Sequence, residues 1–63
     1  MKKYMMQDRS GGIVNRIDEG LSLQAVYHMT DYTDQEFNDI SSLEVSQDML
    51  IGYSKDIYIK RTE

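Results

Sequence analysis

The chain has 63 residues, seven Lys and Arg against eleven Asp and Glu, a net charge of −4 and no cysteine. That length makes one small domain over residues 1–63 and leaves no mass for a separate catalytic lobe. Without cysteine there is no disulfide, no thiolate zinc site and no Cys nucleophile, so the usual staples of a small domain are missing and a homodimer stays open.

The start, MKKYMMQDRS, carries two lysines but reaches Asp8 before any apolar run of signal-peptide kind. No stretch approaches the roughly 18 apolar residues of a membrane span. With Lys2 where myristoylation needs glycine and no cysteine for prenylation, no lipid anchor is expected. The expectation is a protein of the cytoplasm of a bacterial host cell, with no membrane partner.

Residues 3–8, KYMMQD, and 13–18, IVNRID, read as two strands joined through RSGG, whose glycines supply the positive φ a hairpin loop requires. Tyr4 and Met6 share one face of the first run, and Ile13 and Ile17 one face of the second. The expected hairpin has a single apolar side. After Gly20 the pattern turns helical. Ser22 is placed as an N-cap, with Leu21 before it and Val26 at the fourth helical position as a hydrophobic staple. Thr33 and Glu36 fit a capping box, Tyr32 and Phe37 the matching staple. Phe37, Ile40 and Leu43 then form an apolar stripe. The last segment, DMLIGYSKDIYIKR, alternates as strand and contains a turn at Ser54 to Asp56, giving one bulged strand or a second hairpin. These elements predict an α+β fold, a small antiparallel sheet of three or four strands with one or two short helices packed on one face.

Chemistry is scarce. In DYTDQEFNDISSLE, residues 31–44, the acidic positions lack the alternate spacing and the glycine of a calcium loop. His28 is the single histidine, too few for a zinc site, and is placed as a partly exposed residue near a helix C-terminus, where its cation suits the helix dipole. Ser22 lies six residues from it, off its helical face, so no hydrolytic pair forms. Asp34 and Asp39 fall on the polar side of the second helix, away from Phe37 and Ile40, where they are expected to be solvated. SGG has no following helix or lysine to make a phosphate loop. No enzyme activity, no metal and no cofactor are expected. The five tyrosines are mostly core with their hydroxyls reaching solvent, Tyr32 excepted as a candidate interface anchor.

What remains is charge segregation. Residues 1–16 carry Lys2, Lys3, Arg9 and Arg16 against Asp8, whereas 17–54 hold eight carboxylates and no Lys or Arg. An acidic face keeps a small protein soluble, but mixed charges would serve that purpose without concentrating like charge. A surface selected for a basic partner explains the concentration better. Enzymes that act on nucleic acid present basic surfaces of this kind, since duplex DNA carries about one charge per 1.7 Å. The expected contact residues are Asp31, Tyr32, Asp34, Asp39, Glu44 and Asp48, and the expected partner is a host protein with a basic surface. Direct nucleic-acid binding through the basic termini is disfavoured by the net negative charge. The alternative is a structural protein that assembles with itself through edge strands and tyrosines.

Small, acidic, cysteine-free chains with a hairpin, a short helical region and a final strand resemble the accessory proteins with which bacteriophages and mobile elements block host enzymes. Anti-CRISPR proteins and phage inhibitors of uracil-DNA glycosylase belong to that loose class. The local similarity to the glycosylase inhibitors is MQD at residues 6–8, then eleven residues, then GLSL at Gly20 to Leu23 leading into a helix. The resemblance implies a stoichiometric inhibitor that mimics DNA. It departs from that family in QAVYHMT, which is neutral where the family's helix supplies aromatic and acidic contacts, so no functional residue carries over.

Overall fold

In the computed structural model, which describes residues 1–63, four antiparallel strands, β1 (Tyr4–Asp8), β2 (Arg16–Leu21), β3 (Asp48–Ile51) and β4 (Ile57–Arg61), form one sheet in the order β2-β1-β4-β3. Two helices, α1 (Leu23–Met29) and α2 (Asp34–Ser41), connect β2 to β3. The α+β architecture is as the sequence predicts, with four strands, both helices and a closing hairpin rather than one bulged strand.

The helices and the inner face of the sheet share one core. Tyr4 and Met6 of β1, Ile59 of β4 and Ile51 of β3 meet Val26 of α1, Ile40 of α2 and Leu43, with Leu21, Leu23, Tyr27, Met49 and Ile57 packed around them. Both helix starts follow their sequence signals. Ser22 Oγ accepts a hydrogen bond from Ala25 N at 3.1 Å. Thr33 Oγ1 accepts from Glu36 N at 3.1 Å while Glu36 Oε1 accepts from Thr33 N at 2.9 Å, a complete capping box.

Two details of the expected pattern are corrected. The second strand begins at Arg16, not Ile13, because Ser10–Gly12 form a 3-10 turn and Asn15 N closes the loop on Asp8 O at 2.7 Å. In this register Ile17 lies opposite Gln7 while Asp18 lies opposite Met6, so Ile17 faces outward and Ile13 sits in the loop; both are exposed. One extra β2 residue between the Met6↔Asp18 and Tyr4↔Leu21 pairs makes a bulge, with Gly20 at φ 66°, and returns Leu21 to the core side. The second correction is Phe37, which is 42% exposed and outside the core, whereas Ile40 and Leu43 are inside it.

The outer face of the sheet has no helix over it. There Arg9 Nε donates to Gln7 Oε1 at 2.9 Å, its guanidinium lies 4.1 Å from the Tyr58 ring centroid, and Tyr58 donates to Asp48 Oδ2 at 2.8 Å. This chain of contacts ties β1, β4 and β3 together across the exposed side. No helix is long and apolar enough to cross a membrane.

Candidate functional site

The site is built where the α1–α2 connection and α2 meet the turn between β3 and β4. Phe37 stacks on Tyr27 with ring centroids 4.5 Å apart, and Tyr32 lies against both, 4.9 Å from Tyr27 and 5.8 Å from Phe37. Tyr27 donates to Phe37 O at 2.9 Å, which holds the end of α1 to α2. The predicted Tyr32–Phe37 staple is therefore one side of a three-ring cluster, and the cluster explains why Phe37 stays outside the core.

Glu36 carries the other half of the construction. It is 8% exposed, and besides capping Thr33 it accepts a hydrogen bond from Gly52 N through Oε2 at 3.1 Å, with Lys55 Nζ 3.6 Å from the same oxygen. Hydrogen bonding from the Thr33 backbone, then from Gly52, and the nearby ammonium hold its carboxyl below the usual range in spite of burial. Gly52 adopts φ 96°, which an L side chain resists, so the turn presents its N–H to Glu36 without strain. One carboxylate thus starts α2 and clamps the β3–β4 turn against it.

Between these parts lies an open groove of about 640 Å³ lined by Asp31, Tyr32, Thr33, Gln35, Glu36, Asp39, Gly52, Tyr53 and Lys55. Of the expected contact residues, Asp31, Tyr32 and Asp39 come together here. Asp34 is exposed on the first turn of α2 and does not line the groove, and Glu44 is exposed in the α2–β3 connection. Asp48 lies on the outer face of the sheet, held by Tyr58. Among the carboxylates of the helical layer, Asp31, Asp34 and Glu44 make no side-chain hydrogen bond or ion pair, and Asp39 accepts only from Gln35 Nε2 at 2.9 Å. His28 is exposed in the last turn of α1. No group of three or more His, Cys, Asp or Glu is placed to hold a metal ion.

The cations follow a different rule. Lys2 Nζ donates to Ser41 O at 3.0 Å, and Arg61 donates to Leu43 O at 2.9 Å and Glu63 O at 2.8 Å. Lys2, ahead of β1, and Arg61 of β4 thereby satisfy carbonyls at the C-terminal end of α2, where positive charge suits the helix dipole. Arg16 pairs with Asp18 at 2.8 Å. The termini do adjoin in the sheet, as their sequence positions allow, but most of their charges are engaged in holding the fold.

Gln35, Gly52, Tyr53 and Lys55 are the groove residues for which the sequence signals no capping or contact role. Its turn signal at Ser54 to Asp56 was visible, but nothing local says that the turn folds against α2. Comparison with protein-family models, curated protein sequences and solved structures finds no match to this chain.

Proposed function

We propose that this chain is a non-catalytic binding protein, encoded by a phage or mobile element, that covers the basic nucleic-acid-binding surface of a host protein such as a CRISPR nuclease or a DNA-repair enzyme. The observation that carries this reading is the state of the helical layer: Asp31 and Asp34 stand exposed and unpartnered on either side of Tyr32, a member of the aromatic cluster, and Glu44 stands exposed and unpartnered beyond the end of α2. Unpaired carboxylates around aromatic anchors suit a basic protein surface, with the charges raising association rate and the rings supplying contact area. Direct binding of nucleic acid is a poorer fit, because Lys2, Arg9, Arg16 and Arg61 are already bonded within the molecule.

Capture from a bacterial lysate at low salt tests the proposal. The expected result is retention of a nucleic-acid-binding protein that added salt or competing duplex DNA releases. Failure to retain one, or retention that duplex DNA does not affect, contradicts it.

The assembly reading rests on one separate observation, the uncovered outer face of the sheet, where Ile17 and Leu50 are exposed. A salt-insensitive homo-oligomer in sedimentation at micromolar concentration would favour it.

A further inference from the structure

We infer that the groove between α2 and the β3–β4 turn receives a single cationic side chain, an arginine or lysine projecting from a basic segment of the partner. This rests on the docking reading above and names what that surface grips. Tyr32 and Tyr53 are the apolar side chains of the groove, at its α2 side and its turn side. Tyr53 is fully exposed, so no contact within the chain occupies its ring. The face of such a ring attracts a cation. Asp31 and Asp39 add carboxylate oxygens, neither of them paired with a cation.

The groove already holds a cation of its own. Lys55 brings its ammonium 3.6 Å from Glu36 Oε2, a loose pair with the lysine side chain 64% exposed. That contact is an ammonium held against a carboxylate at the groove, and its length and exposure make it a weak one. A guanidinium engages a carboxylate by two parallel hydrogen bonds and stacks on tyrosine, so arginine is the better occupant. An anion finds little here, since Thr33 Oγ1 and Glu36 already take the N–H groups of Glu36 and Thr33 at the start of α2.

The experiment uses the full chain and a fluorescein-labelled peptide of eight arginines, read by anisotropy at low salt, with Tyr53→Ala, Lys55→Gln and Lys60→Gln variants. Lys60, on the outer face opposite Asp48, controls for net charge, because both Gln variants remove one cation. Tyr53→Ala is expected to weaken binding about two- to fivefold with the thermal midpoint unchanged. Lys55→Gln is expected to strengthen it about threefold or more beyond Lys60→Gln, by removing the ammonium that competes with an incoming cation inside the groove. Equal effects of the two Gln variants together with a silent Tyr53→Ala overturn the inference. The docking reading is judged separately by Asp34→Lys with Glu44→Lys, neither of which lines the groove: if that pair abolishes capture of the host protein while Tyr53→Ala and Lys55→Gln change nothing, the face stands and the groove assignment falls.

Discussion

The outer face of the sheet and the helical layer use charge in opposite ways. On the sheet, Arg9, Tyr58 and Asp48 form one connected network, in which Arg9 bonds to Gln7 and lies over the Tyr58 ring while Asp48 accepts from the Tyr58 hydroxyl. On the helical layer Glu36 is built into the fold and Asp39 is bonded to Gln35, whereas the side chains of Asp31, Asp34 and Glu44 make no hydrogen bond or ion pair. A carboxylate with structural partners contributes to folding, and one without them is available to another molecule. The difference separates charges that hold the protein together from charges that face outward.

Replacing Glu36 breaks this comparison most severely. Glu36→Ala removes the side-chain half of the capping box and leaves both Thr33 N–H and Gly52 N–H without their acceptor, so the expected loss is about 2–3 kcal/mol in urea unfolding. Asp34→Asn, on the same helix turn, is expected to cost under about 0.5 kcal/mol. Equal losses at the two positions would erase the distinction.

The same carboxyl supplies a pH signature. Its pKa is lowered in the folded chain, so its contribution is fully present above the unfolded carboxylate value of about 4.3 and is lost as pH falls through the lower folded value. Asp8 is shifted in the same direction, chiefly by the hydrogen bond from the Ser10 hydroxyl. Stability should fall on acidification below about pH 4.5, and Glu36→Gln should flatten that fall more than Asp34→Asn does.

On the sheet, Tyr58→Phe removes the hydrogen bond to Asp48 at an exposed site, with an expected cost of about 0.5–1 kcal/mol. Tyr4→Phe should have the smallest effect. The Tyr4 hydroxyl is buried without a hydrogen-bond partner, and burial raises its pKa, so its removal is expected to be neutral or to raise the unfolding midpoint slightly. A clear loss of stability at Tyr4→Phe would mean that the hydroxyl has a partner after all.

Local signals in the sequence were legible wherever the physics is local. Ser22, Thr33 and Glu36 announce their helix starts because a cap and its acceptor lie within three residues. The hairpin register was not legible, since Ile13 and Ile17 look like a core face until the 3-10 turn and the bulge at Gly20 set the pairing. Phe37 was misplaced for a related reason: helical spacing put it in line with Ile40, but Tyr27 and Tyr32, ten and five residues earlier, claim its ring. The acidic set was legible as a charge pattern, without its geometry. Asp48 belongs to the opposite side of the sheet, and the turn carrying Tyr53 and Lys55 completes the groove through a contact sixteen residues long, from Glu36 to Gly52.

Charge reversal on the free carboxylates tests the central claim most directly. The Asp34→Lys, Glu44→Lys chain should unfold within about 1 kcal/mol of the original, because neither side chain has a bonded partner to lose and only the favourable charge of Asp34 at the start of α2 is given up. In competition for the protein captured from lysate, it should fail to displace the original chain even at tenfold excess. Full competition by the reversed chain would contradict the account, since the acidic helical layer would then play no part in binding.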